Sequence, residues 1–102
     1  MSVLHTSNKS PLQTRDLESC LRLSRPGCAI LLLEDAVYGA LQGSAVAARV
    51  AEASRDRRIY LLGPDLAARG FTAQQVLPGI EVIDYGGFVD LVAESHHVQA
   101  WV

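Results

Sequence analysis

The sequence predicts an α/β protein, a single three-layer α/β/α sandwich built on a mostly parallel sheet of about five strands. Three observations lead there. Short apolar runs alternate with longer amphipathic ones, the order in which strands and crossover helices follow each other in a parallel sheet. One run, Cys28-Ala-Ile-Leu-Leu-Leu33, is apolar without a break, as a strand covered on both faces has to be. The chain has 102 residues, 49% of them hydrophobic and 20% charged. That is one domain over residues 1–102, since typical domains run to about 100–150 residues, and the composition is not that of a disordered chain.

The elements follow in order. Ser2 to Thr6 reads as the first strand, and Ser10-Pro11 offers an N-cap and first helical residue for a helix ending near Ser24. At 100° per residue Leu12, Leu17, Cys20, Leu21 and Leu23 form its apolar stripe, with Arg15, Glu18 and Arg22 opposite. Arg25-Pro26-Gly27 breaks the helix, and Cys28 to Leu33 makes a central strand. After Glu34-Asp35, residues 36–41 and 44–53 form two short helices parted near Gly43, and Arg55 to Arg58 is a solvated turn. Ile59 to Leu62 is the third strand. Gly63-Pro64-Asp65 opens a short helix that stops at Arg69-Gly70, where glycine accepts the left-handed conformation. Residues 74–76 fit no single pattern. Ile80 to Ile83 alternates as a half-buried strand, Gly87 to Glu94 has helical spacing, and Val98 to Val102 is β-branched and aromatic enough for a final strand. These patterns leave the strand order open.

Charge and composition exclude several function classes. A formal net charge of −2 supplies no cation excess to neutralise phosphates, which argues against direct nucleic-acid binding. The longest apolar run has six residues where a membrane span needs about 20, so no membrane partner is expected. Two cysteines do not make a disulfide framework, and no leader pattern opens the chain, so a reducing cytoplasm is the expected compartment. A domain of about 100 residues buries only about 60–70% of its unfolded surface, which makes further burial against another subunit reasonable.

Ligands of open parallel sheets gather outside the carboxyl ends of the strands. The segments to search are those after Thr6, Leu33, Leu62 and Ile83. The first, Ser7 to Pro11, has neither a dinucleotide fingerprint nor a phosphate loop. Glu34 and Asp35 could serve as an acid–base pair, or Asp35 could cap the next helix. Asp84 beside Tyr85 has the same two readings. His96 and His97 diverge as sequence neighbours, and no ligand set completes a metal site around them. His5 could be a base or a hydrogen-bonded structural residue of the first strand. No cofactor motif is present.

The thiols carry the remaining chemistry. Cys20 lies within the apolar stripe and near a helix C-terminus, where burial and the helix dipole both disfavour a thiolate. Cys28 begins a strand, at the sheet end opposite the expected site. The spacing of eight residues is not that of a Cys-x-x-Cys exchange motif. Cys20 stands as the candidate catalytic residue, a sulfur carrier, with a small buried hydrophobe as the other reading.

Leu4-His5-Thr6, Ser10-Pro11, Leu31 to Val37, Asp65-Leu66 with Ala68-Arg69-Gly70, Ile83-Asp84-Tyr85, Phe88-Val89 and Ala100-Trp101 together resemble the DsrH/TusB family of sulfur-relay proteins. The resemblance keeps its order over nearly the whole chain. Cys20 and its surroundings look closest to DsrH of the DsrEFH complex, whereas TusB sequences generally have an apolar residue there. The resemblance implies a DsrEFH-like, flavodoxin-like subunit of a cytoplasmic heterohexamer, with two copies each of DsrE-like and DsrF-like homologous partners. It also implies persulfide sulfur passed to a DsrC-like carrier during oxidation of stored sulfur. TusB-type relatives feed tRNA 2-thiouridine synthesis instead, and a non-catalytic binding module is the third reading. The principal acceptor cysteine of the family is on the DsrE or TusD subunit. No cysteine of this chain follows a strand at the matching place, so Cys20 is left to assist transfer in a largely architectural subunit. Asp35, Tyr38 and Tyr85 are placed near the site end, to contact partners or to cap and pack.

Overall fold

A computed structural model describes residues 3–11 and 14–101. The helix-stripe position Leu12, the predicted strand start at Ser2 and the predicted strand end at Val102 lie outside the described residues. Five strands form one parallel sheet: β1 (Val3–Ser7), β2 (Ala29–Leu32), β3 (Arg58–Leu62), β4 (Glu81–Ile83) and β5 (His97–Trp101). Their order is β4-β3-β2-β1-β5. The helices are α1 (Asp16–Leu23), α2 (Ala47–Ala53), α3 (Gly63–Ala68) and α4 (Tyr85–Glu94), with 3-10 segments at Glu34–Ala40 and Ala73–Gln75.

The order follows from the burial of each strand. β2 is buried along its whole length and takes the centre. Its Ile30 and Leu32 join Leu17, Cys20, Val37, Val50, Ile59, Leu61 and Leu66 in the larger core, beneath α1, α2, α3 and the first 3-10 segment. Its Ala29 and Leu31 point the other way, into a smaller core with Leu4, Leu62 and Leu91 of α4. From β1 to β4 every crossover steps in one direction, and these connections supply the layer over the larger core. The α4 connection then returns across the sheet and delivers β5 to the outer edge of β1, with Leu4 opposite Val98 and Ser7 opposite Trp101.

Several local expectations shift. The first helix begins at Asp16, not at Ser10-Pro11: the Thr14 N–H donates to the Ser10 carbonyl at 3.1 Å, and the Thr14 hydroxyl accepts from the Asp16 N–H at 3.4 Å. Leu23, placed on the buried stripe, is 61% exposed. The stripe centres on Leu17, Cys20 and Leu21, and Ser24, one turn beyond Cys20, takes the buried position instead. Residues 34–40 wind as a 3-10 segment, and the unassigned 74–76 region is largely a second one. That second segment is closed by a capping box between Thr72 and Gln75.

Arg57 fastens the lower edge of the sheet. Its guanidinium is nearly buried and donates to Ser24 Oγ at 2.9 Å, to the Ser24 carbonyl at 2.7 Å and to Asp56 Oδ1 at 2.7 Å. It therefore joins the end of α1 to the start of β3. At the other edge, Trp101 Nε1 donates to His5 Nδ1 at 3.1 Å and pins β5 to β1. Burial lowers the His5 pKa, helped by the positive charges of His97 and Arg57, so the folded chain holds the ring neutral with Nδ1 as the acceptor.

Two tests follow. Arg57→Ala is expected to cost about 1.5–3 kcal/mol by urea unfolding, the scale of hydrogen bonds made by a charged group, with Ser24 left half-satisfied. For His5 the native state binds fewer protons than the unfolded chain in the window just below the unfolded value of about 6.5. Stability from this group is therefore complete above that value and is lost as pH falls through it. His5→Phe is expected to flatten that slope, measured by denaturant melts across the window.

Candidate functional site

The carboxyl ends of the strands form one rim, and the structure brings four of the searched segments to it. After β2 the backbone turns sharply: Glu34 has φ +50°, a left-handed conformation uncommon for a side chain of this kind. Asp65, one residue past Gly63-Pro64 at the start of α3, holds that turn by accepting the Glu34 N–H on Oδ2 at 2.6 Å. Arg69 closes the group from the end of α3. Its Nε and Nη2 donate to Asp35 Oδ1 at 2.9 and 2.8 Å, and its Nη1 donates to the Asp65 carbonyl at 3.0 Å.

Asp35 therefore neither caps a helix nor pairs with Glu34 as an acid–base couple; it is the counter-ion of Arg69. Asp84 does cap, with Oδ1 accepting the Gly87 N–H at 2.8 Å. Tyr38 packs edge-on against Phe71 with ring centroids 5.7 Å apart, whereas Tyr85 is exposed. A depression of about 490 Å³ lies beside the cap, between the starts of α3 and α4, lined by Gly63, Pro64, Val82, Ile83, Asp84 and Gly87. At the end of β1, Ser7 Oγ and Asn8 Oδ1 are buried without a hydrogen-bond partner among the described residues.

Neither cysteine reaches this rim. Cys28 sits just before β2, at the amino end of the sheet, and is buried. Cys20 is fully buried on the sheet-facing side of α1. Burial pushes its thiol up to about 12, the neighbouring Cys28 pushes in the same direction, and Arg57 pulls only weakly the other way. A thiol held so high is almost wholly protonated at neutral pH and a poor nucleophile. Next to it, a groove of about 560 Å³ runs between α1 and α2, with Arg15, Glu18, Arg22, Arg49 and Glu52 among its lining. Its charges alternate in sign, and Arg49 is already bridged to Glu18 at 2.7 Å.

The histidines do other work. His5 is the acceptor for Trp101, and His96 and His97 are exposed. Among the described residues no group of three His, Cys, Asp or Glu side chains could hold a metal, and no helix is long and apolar enough to cross a membrane. The Asp35–Arg69–Asp65–Glu34 group was missed from sequence because its partners are about thirty residues apart, on two strand ends that become neighbours only in the sheet. Its one local signal is Asp65 in the first turn of a helix opened by Pro64.

The rim can recognise and position; the described residues offer it no nucleophilic sulfur. In the folded chain alone, Cys20 and Cys28 are expected to resist iodoacetamide near pH 8 over a period in which the urea-unfolded chain labels completely, read by intact mass. The raised Cys20 pKa also sets a sign for stability. Its contribution is complete below about 9 and is lost as pH rises from there toward about 12, so Cys20→Ala is expected to flatten the alkaline side of the stability profile.

Comparison with known proteins supplies the identity. The family profile described as "DsrH like protein" matches residues 9–98. Protein TusB of Pectobacterium parmentieri is 37% identical over 99 residues, covering 97% of this chain and all of that protein. Protein TusB of Escherichia coli strain K12 is 39% identical over 101 residues with the same coverage. Among solved structures, the ychN protein of E. coli superposes with a TM-score of 0.85 at 17% identity, covering 98% of each chain. A protein of unknown function from Methanobacterium thermoautotrophicum gives 0.75 at 19% identity over 96% of each. At those identities the structures support the fold alone, and the sequence matches carry the family. The chain belongs to the DsrH-like family, together with the proteins named TusB.

Proposed function

We propose that this chain is a TusB-type subunit of a sulfur relay that serves tRNA 2-thiouridine synthesis, and that its part is chiefly architectural. The observation that carries the reading is the match, end to end at 37–40% identity, to proteins named TusB. Burial of both thiols supports the architectural part, because a relay cysteine needs thiolate and access, and Cys20 in the isolated fold has neither. The relay step is thiol exchange: a thiolate attacks the outer sulfur of a donor persulfide, a new S–S bond forms, and the donor thiolate leaves. In this reading the attacking thiolate belongs to a DsrE-like subunit. The present chain and a DsrF-like subunit shape the channel, two copies of each making a heterohexamer. The acidic and arginine residues of the rim position a partner segment.

A second reading has one observation in its favour. Cys20 and its surroundings resemble DsrH, which favours a DsrEFH-type relay that hands persulfide sulfur to a DsrC-like carrier during oxidation of stored sulfur, with Cys20 assisting.

Intact-protein mass spectrometry after treatment with a persulfide donor tests the division of labour. The samples are this chain alone, the chain with its two homologous subunits, and Cys20→Ser in both settings. Sulfur loading is expected on a partner subunit and is expected to survive the replacement. Loading on Cys20 that disappears with the serine would make this chain a chemical participant. Deleting the gene is expected to lower 2-thiouridine in tRNA, and the Cys20→Ser chain is expected to restore it; unchanged tRNA thiolation would move the assignment to the oxidation pathway.

A further inference from the structure

Charge divides the molecule by position. Seven of the nine lysines and arginines stand on α1, α2 and the residues that flank them, against four of the eleven carboxylates. The arginines gather further at the amino end of the sheet, where the turn between α1 and β2 lies against the turn between α2 and β3. Three contacts tie the two turns: the Gly27 N–H donates to the Asp56 carbonyl at 2.7 Å, the Arg58 N–H donates to the Cys28 carbonyl at 3.1 Å, and Arg57 donates to Ser24. Arg25 and Arg55 are thereby brought to neighbouring turns, beneath two strands about 4.8 Å apart, with Arg22 on the last turn of α1. Arg22, Arg25 and Arg55 are exposed, and among the described residues none has an ion-pair partner, whereas Arg49 and Arg57 are already bridged. Leu23, the end of α1, is 61% exposed between Arg22 and Arg25 in the chain. A single exposed leucine is ordinary surface; a leucine framed by unpaired guanidinium groups has the makeup of an interface, an apolar centre within a polar rim.

The carboxylates beside these arginines are Glu52 and Asp56, and Asp56 is taken up by Arg57. Other charged groups at the amino end lie off the patch. Arg58 starts β3 on the side of the sheet shared by Tyr60 and Leu62, Glu81 opens β4 beyond β3, and Glu94, His96 and His97 stand at the junction of α4 and β5, with β1 between them and β2. The surplus is therefore cationic and short. A guanidinium fork matches a carboxylate in a two-bond geometry, and because one exposed ion pair contributes little, a contact here has to make several at once. A nucleic acid fits the surface poorly: its backbone would run on to the seven carboxylates carried by the rest of the chain, and the two turns have no aromatic side chain on which a base could stack. Leu23 also asks for an apolar side chain, which a phosphate backbone does not have.

We infer that Leu23, with Arg22, Arg25 and Arg55 around it, is the docking surface for a short acidic segment of another protein chain, one in which several carboxylates surround an apolar side chain. The apolar side chain covers Leu23 and the carboxylates pair with the three arginines, so the contact is directional and weakens with salt. The surface is at the end of the sheet opposite the rim of Asp35 and Arg69, and the inference stands apart from the sulfur-relay reading, which assigns no role to these turns.

The test measures binding of three fluorescent probes to the full chain by anisotropy at about 50 mM salt, where exposed charges are screened least. The probes are a peptide with one leucine among six glutamates, the same peptide with serine for the leucine, and a single-stranded RNA of similar charge. Thermal unfolding of each variant is the folding control. The leucine peptide is expected to bind, and the double variant Arg25→Glu with Arg55→Glu is expected to weaken it by about tenfold or more. Leu23→Ala is expected to weaken the leucine peptide by about fivefold and to leave the serine peptide unchanged. Lys9→Glu, an equal change of charge in the loop after β1 at the other end of the sheet, is expected to leave both peptides unchanged. Absence of binding by the leucine peptide would overturn the proposal, as would an equal loss in Lys9→Glu and in a single Arg25→Glu variant, which would reduce the effect to overall charge. Tighter binding of the RNA than of either peptide, lost in the arginine double variant, would overturn the protein partner and put a nucleic acid in its place.

Discussion

β2 must be buried on both faces at once, and the rest of the molecule is arranged around that requirement. Ala29, Ile30, Leu31 and Leu32 are almost wholly withdrawn from water, so strands must flank them and side chains must cover them from above and below. Burying each of these leucines or isoleucines is worth about 1.5–3 kcal/mol, and none has a polar atom to be lost in doing so. Parallel pairing with β1 and β3 forces crossovers, the right-handed preference sends the first crossovers to one side, and the thick layer of helices follows. The other face receives what the single return connection can bring.

That arrangement separates the two kinds of chemistry the chain carries. Carboxylates and the Arg69 guanidinium collect at the carboxyl rim, held by the unusual backbone of Glu34 and its tie to Asp65. The thiols are at or toward the other end, where Cys20 contributes to the core under α1. Arg57, the cation whose charge bears on Cys20, is committed to Ser24 and Asp56, which leaves it a weak counterweight to the desolvation of the sulfur. A fold laid out in this way favours recognition over reaction within the single chain.

Much of the architecture could be read from the amino-acid order. The unbroken run from Cys28 to Leu33 marks the central strand because no solvated face interrupts it, and the stripe of Leu17, Cys20 and Leu21 marks the helix above it. Asp84 was legible as a helix cap because capping is local, a carboxylate meeting an N–H three residues on. The Asp35–Arg69 pair and the Arg57 fastening were not legible. Each joins residues more than thirty positions apart whose meeting depends on strand order, and alternating apolar runs do not encode strand order. The start of α1 was missed for a related reason, since Ser10-Pro11 has the residues of a helix start while Thr14 makes the hydrogen bond nearest the true one. The whole-chain resemblance reached the family, and the end-to-end sequence matches are to proteins named TusB.

The pairing of β1 with β5 bears on the order in which the molecule is made. Val3 lies opposite His97, so the first described strand waits through synthesis of nearly the whole described chain for its outer neighbour. The first four strands, β1 to β4, and their thick helical layer can gather on the ribosome from connections of ordinary length, but the outer edge of β1 stays open until β5 emerges and is carried back over the sheet by α4. An open strand edge pairs readily with whatever strand is nearby. A newborn chain of this design therefore passes through a period in which a neighbouring polypeptide could take the place of its own β5, and the Trp101–His5 hydrogen bond marks the end of that period.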